Sequence, residues 1–300
     1  MMRSLYAAVA GLQNHQIRMD VVGNNISNVN TVGFKRSRVT FQDVLSQSIR
    51  GASSSSASRG GTNPQQIGLG VRLGSTDNIF TQGNNQTTNK PTDLMIQGDG
   101  LFIVGEKPGA AWNKYYTRAG SFEIDQKGYL INAANGMKVL GWQEDTNDGT
   151  TNGDLPAVGN RTEALLTDLI IKKGAPKDSP GTEALQTFSI DSTGIITGVF
   201  DDGTSVQMGQ IALANFDNPP GLTKMGESLY LASNNSGTPT VAEPSTKGLG
   251  AVIPGSLEMA NVDLSTEFTE MIITQRGFQA NSRIITASDE MLQELVNLKR

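Results

Sequence analysis

Both ends of this 300-residue chain carry apolar stripes at helical spacing, and this feature constrains the fold more than any other. From Ser4 to Val29 the apolar residues Leu5, Val9, Leu12, Met19, Val22 and Ile26 follow steps of four, three, seven, three and four, with Gln16 in the missing slot. That is the spacing of a helix seam, since a strand repeats every second residue. No proline interrupts the segment, and the Asn-rich run Asn24 to Asn30 ends it. Such a helix spans roughly 37 Å. At the other end Leu264, Phe268, Met271, Phe278, Ile285, Leu292 and Val296 alternate in the same way, with Gln275, Ser282 and Asp289 expected in the polar seam slots. Asp263 or Ser265 is placed to cap this helix, Glu267 and Glu270 suit its positive end, and Lys299 and Arg300 suit the other. Periodicity leaves two coverings open: packing on a private core within one chain, or pairing between copies.

Between the ends the period changes to that of strands. Asp93 to Gly98 and Leu101 to Val104 read as two strands around a Gly-Asp-Gly turn, and Tyr115 to Arg118, Phe122 to Ile124 and Tyr129 to Ile131 as further strands. Hairpin grammar returns at Phe188 to Gly194, Asp201-Asp202-Gly203 and Gln210 to Phe216. The expected class is α+β, with long N- and C-terminal α-helices and a central all-β domain. Residues 1–30 with 262–300 form the helical part, 31–75 a connector and 76–261 the β domain, in which 144–184 is a loop or small insertion. The Ser- and Gly-rich stretch from Gly51 to Asn63 has the composition of a flexible linker, and Asn234 to Lys247 is expected to be loose.

Candidate chemistry is sparse. Gly68-Leu69-Gly70-Val71-Arg72-Leu73-Gly74 has GxGxxxG spacing, not GxGxxG, and does not open a helix after a strand, so it reads as glycines shaping a β segment. Asp145 to Gly149 begins like a calcium loop, but its glycine is one place early and Pro156 stands where a bidentate Glu is needed. His15 is the only histidine and has no nucleophile set around it. The chain holds no cysteine, which excludes disulfides and thiol chemistry. A net charge of −5 from well-mixed residues argues against nucleic acid. No enzyme, cofactor, metal or small-molecule substrate is expected. Met1 to Tyr6 lacks a continuous apolar h-region, so a cleaved signal peptide is not expected either.

The segment Asn24-Asn25-Ile26-Ser27-Asn28-Val29-Asn30-Thr31-Val32-Gly33-Phe34-Lys35 resembles the N-terminal signature of the bacterial flagellar axial proteins, the rod and hook family, with Asn24, Asn25, Asn28, Thr31, Gly33 and Phe34 as its motif positions. Arg38 to Asp43, Gly98 to Phe102, Thr117 to Phe122, Glu258 to Leu264 and Met271 to Ser282 continue the likeness, leaving mainly 144–184 without a counterpart. Within the family, Gly61 to Val71, Leu257-Glu258-Met259 and Leu295 to Leu298 look more like the hook members than the distal rod members. The resemblance implies that the terminal helices associate as a coiled coil in the assembly. It thus assigns Leu5, Val9, Leu12, Met19, Ile26, Leu264, Phe268, Met271, Phe278, Ile285 and Leu292 to an assembly interface. The further implications are a homopolymer acting as a torque-transmitting universal joint in the extracellular hook, and passage through the flagellar export apparatus. Implied neighbours are the distal rod protein, the hook cap protein and the hook–filament junction proteins.

Overall fold

A computed structural model describes residues 2–55, 59–109, 112–143, 161, 163–171, 185–201 and 203–298. The chain divides into two units: residues 1–29, 36–79 and 262–300 form unit 1, and residues 30–35 and 80–261 form unit 2.

Unit 1 holds both helices, α1 (Met2–Ser27) and α2 (Leu264–Asn297). The Asp263 carboxylate caps α2 by accepting from the Ser265 amide at 3.0 Å, satisfying a donor that the first turn leaves free. The range 31–75, expected as a connector, contains strands that pair with one another. Here β1 (Ser37–Asp43) pairs antiparallel with β4 (Val71–Asn78), and β2 (Ser46–Arg50) pairs with β3 (Gln65–Gly68). The β1–β4 pair lies against α1: the Asn14 amide donates to Val71 O at 2.8 Å, and Asn25 exchanges hydrogen bonds with both backbone groups of Ser37. These strands leave little trace in the sequence, because Arg38 to Asp43 and Val71 to Asn78 alternate only weakly.

Unit 2 is β throughout, apart from single helical turns. The run Leu101-Phe102-Ile103-Val104 is apolar at every position, the pattern of a strand covered on both faces. It forms β7 (Leu101–Glu106). Phe102 and Val104 enter one core cluster, with Phe122, Leu130 and Val139, while Leu101 and Ile103 enter a second with Tyr116, Leu140 and Trp142. Among the described residues the main sheet has thirteen strands, with β7 between Lys138–Gln143 and β8 (Asn113–Thr117).

The strands flanking Gly98 to Gly100 do not form the expected hairpin. β6 (Leu94–Gln97) pairs with Ala251–Pro254, and β5 (Asn85–Thr87) with Ser256–Glu258, so the end of the unit folds back onto its start. The hairpin of Leu185–Ile190 and Ile195–Phe200 agrees with its reading. Of the segment 144–184 only residues 161 and 163–171 are described. Leu169 and Ile171 are fully buried there and Thr167–Asp168 joins the main sheet, so this stretch belongs to the core. The calcium-like run Asp145 to Pro156, Asp202, Lys299 and Arg300 lie outside the described residues.

Candidate assembly surface

The two helices of unit 1 pack antiparallel, and what they bury is mostly small or polar. The Asn25 amide donates to Glu267 at 3.1 Å, Arg18 to Glu270 at 3.2 Å, and Arg36 to Glu267 at 3.2 Å. Further along, the His15 ring occupies the space beside Gly277, where an added Cβ would stand 2.8 Å from it, and Gly11 faces Asn281. On α2 the buried positions are Glu267, Thr274 and Ser288, all polar, and the half-buried Asn281 that faces Gly11 completes their seven-residue spacing. Gln275, Ser282 and Asp289, expected as the polar slots of a seam, each stand one residue beyond the stripe buried within the chain. A shift of one residue rotates a helix by about 100° and moves the seam to a different stripe.

That rotation decides where the predicted residues fall. Leu5, Leu12, Met19, Ile26, Met271, Phe278, Ile285 and Leu292 are half-buried along the flanks of the seam, whereas Val9, Leu264 and Phe268 are exposed. Others on the outside were not singled out from the sequence. On α1, Met2, Tyr6 and Ile17 continue the stripe of Val9. On α2, Ile272 follows Leu264 and Phe268 at four-residue steps, and Ile273, Ile284, Met291 and Leu295 line another face. Ile272 and Ile273 are each 57% exposed and Leu295 50%. A helix pair that hides Thr, Ser and Asn and shows Ile, Phe and Leu is the reverse of a self-sufficient hairpin.

His15 lies at the inner seam. Its ring meets Phe41 edge-on at 5.9 Å, and burial first, then Arg18, hold its pKa below the usual histidine value. No hydrogen-bond partner reaches its buried Nδ1 among the described residues.

The family-motif residues divide between the units. In unit 1 Asn25 is buried and anchors β1, Asn24 is exposed, and Asn28 is half-buried with its amide on Asn24 O. In unit 2 Thr31 is half-buried, while Gly33 adopts φ +66°, and a Cβ there would stand 2.5 Å from Ala119 N. Only glycine fits both demands. Phe34 is buried under Lys224, whose ammonium sits 4.2 Å from the ring centroid and is pushed to a lower pKa by burial.

Lys35, which follows in the motif, is 1% exposed and bonds Glu258 at 2.7 Å; Arg118 bonds the other carboxylate oxygen at 2.5 Å. Burial would raise the Glu258 pKa, but Arg118 and Lys35 outweigh it and hold the carboxyl below its usual range. These three charged residues have no periodic signature, and only the family resemblance draws attention to them.

Among the described residues no group of three or more His, Cys, Asp or Glu side chains could hold a metal, and no helix is long and apolar enough to cross a membrane. An α+β chain with paired terminal helices and exposed apolar stripes has the build of a subunit that assembles. Known proteins of similar sequence point the same way. Residues 5–35 match the family described as "Flagella basal body rod protein", residues 95–198 "Flagellar hook protein FlgE/F/G D1 domain", and residues 253–298 "Flagellar basal body rod FlgEFG protein C-terminal". The flagellar basal-body rod protein FlgG of Bacillus subtilis is 47% identical over 301 residues, covering both chains entirely. The flagellar hook protein FlgE of Borreliella burgdorferi is 34% identical over 445 aligned residues, again covering both chains. FlgG of Caulobacter vibrioides is 34% identical over 301 residues, covering 99% of this chain and all of that one. The chain belongs to the flagellar hook and basal-body rod family, and is a structural protein of the flagellum rather than an enzyme.

Proposed function

We propose that the chain is a subunit of the flagellar hook, polymerising through the outer faces of its terminal helices into a tube that bends while transmitting torque. The observation that carries self-assembly is the exposure of Phe268, Ile272, Ile284 and Met291 on α2, beside Tyr6 and Val9 on α1. Already about half covered, these side chains forgo on the order of 1 kcal/mol each of further burial. Copies of the same helices, carrying the same stripes, are the occupants that suit them, and a coiled coil is the geometry in which such stripes meet. Leu5, Met19, Met271, Phe278, Ile285 and Leu292, already half-covered, form the edges of that contact. A Gly-, Ser- and Asn-rich β unit with few fixed charges suits neighbours that slide past one another as the tube bends.

Assignment to the hook is supported by the hook-like segments at 61–71 and 257–259 and by full-length similarity to a hook protein. A second reading, the distal rod, is favoured by the 47% identity to FlgG, aligned over 301 residues, where the hook relative needs 445. In the hook reading the chain is exported through the flagellar apparatus, lies outside the cell and meets the distal rod, hook cap and hook–filament junction proteins. Electron microscopy of basal bodies from cells lacking the chain separates the two: a complete rod without a hook supports the hook, and a truncated rod supports the rod. Self-assembly has its own test. Ile284→Asp with Met291→Asp should yield a folded monomer that does not polymerise, and polymers of normal length would refute the helix-face mechanism.

A further inference from the structure

The ion cluster of unit 2 lies at a telling place in the chain. Unit 2 consists of residues 30–35 and 80–261, so the polypeptide leaves it after residue 35, returns at residue 80, and leaves again after residue 261. Each of these boundary segments supplies part of one network. Lys35 Nζ donates to Glu258 Oε1 and to Thr81 O, both at 2.7 Å, and the Gly83 amide donates to the same carboxylate oxygen at 2.8 Å. The Asn261 side-chain amide donates to Thr81 Oγ1 at 2.9 Å, and the Gly33 amide to Glu258 O at 2.8 Å. Arg118 then roots the cluster in the sheet, bonding Glu258 Oε2, Ile96 O and the carbonyls of Gly98 and Gly100.

Glu258 is 0% exposed, Lys35 1% and Arg118 6%. Burying three charges is costly, and well-packed apolar residues would often stabilise a core as much. What a carboxylate with directional partners adds is registration: each segment is fixed to the others at defined atoms, and loss of one bond strands its neighbours. We propose that Lys35, Glu258 and Arg118 form a clasp that makes the three boundary segments of unit 2 open only together. Pull or twist arriving along one segment is then shared by all three and cannot peel a single strand away. The inference concerns unit 2 alone and stands whether the subunit builds hook or rod.

Residue-resolved native-state hydrogen exchange on the full chain, in rising sub-denaturing denaturant, tests this. In the natural chain the amides of Gly33, Gly83, Met259 and Asn261 should converge on one opening reaction. Four separate openings would overturn the proposal without any variant. Lys35→Met leaves Glu258 and Arg118 as a charge-balanced pair, so the fold should persist. The four amides should then exchange about tenfold faster or more and cease to open together, while Leu130 and Ile211, bonded to Leu169 O and Gly194 O, keep their rates. Unchanged exchange at the four sites, or equal acceleration at Leu130 and Ile211, would reduce the cluster to an ordinary contribution to stability. Glu258→Gln removes the shared acceptor charge and should accelerate the same four amides further; a smaller effect than Lys35→Met would also count against the clasp.

Discussion

The two units bury opposite kinds of side chain. Phe102, Leu140 and Trp142 of unit 2 are wholly inside, while the seam between the helices of unit 1 encloses Glu267, Thr274 and Ser288 and leaves Phe268 and Ile272 in solvent. Apolar burial is the main source of folding stability. Unit 2 is therefore built to stand alone, whereas in the proposed assembly unit 1 gains much of its stability from the copies that cover it. The polar seam still fixes the helices in register, because a buried Glu267 finds Asn25 and Arg36 at one alignment only.

The sharpest way to break this contrast is a matched pair of truncations. Phe102→Ala, which removes a fully buried ring stacked edge-on against Phe122, should cost about 3–5 kcal/mol and unfold unit 2 early in denaturant. Phe268→Ala, at a half-exposed ring, should change monomer stability by no more than about 0.5 kcal/mol and yet impair polymerisation. Similar losses in the monomer would erase the distinction between the units.

A smaller effect probes the polar seam. Glu267→Ala leaves the Asn25 amide and Arg36 without their carboxylate and should destabilise unit 1 by about 1.5–3 kcal/mol, read as loss of helical signal before the β unit melts. Simultaneous melting of helix and sheet would show that the units do not behave separately. Gly277→Ala should cost about 1–3 kcal/mol, because its Cβ would press on the His15 ring, and His15→Ala in the same chain should restore most of the loss. No rescue would mean that the ring does not fill the site.

How much of this was legible depends on what each feature leaves in a sequence. The helices were, because Leu5 to Ile26 and Leu264 to Leu292 repeat at 3.6, and so was the β core around Leu101 to Val104. The seam on α2 was not. Apolar spacing marks a helical stripe without saying whether it faces inward, and Thr274, Asn281 and Ser288 resemble ordinary surface residues until Gly11 and His15 are set opposite them. Gly68 to Gly74 read as a β segment, and β4 begins there, but its pairing with β1 and that of β2 with β3 cross gaps in the chain that only folding closes. The residues of the ion cluster, Lys35, Arg118 and Glu258, lie 83 and 140 positions apart in the chain, and no local pattern joins them.

The smallest expected effect is on pH. The folded state holds His15 below its ordinary pKa, so the neutral ring is favoured. The stability this gives unit 1 should be complete above the ordinary histidine range and fall as the pH drops through the lowered value. The facing groups are Phe41 from β1, Gly277 from α2 and Arg18, itself tied to Glu270, from α1. His15→Phe should flatten the dependence of helix melting on pH in that window; an unchanged slope would place its cause in the carboxylates.

In the proposed assembly the exposed apolar stripe of the helices is covered by other copies. The chain has no cysteine, so a single Ile284→Cys provides a unique thiol at a site 44% exposed in the single chain. Its rate of reaction with a small maleimide can be measured on purified monomer and on isolated hook–basal bodies. Rapid labelling of the monomer is expected, with protection of at least about tenfold in the assembly and with an exposed site in unit 2 such as Glu123→Cys labelling alike in both. Equal labelling of position 284 in monomer and assembly would contradict it.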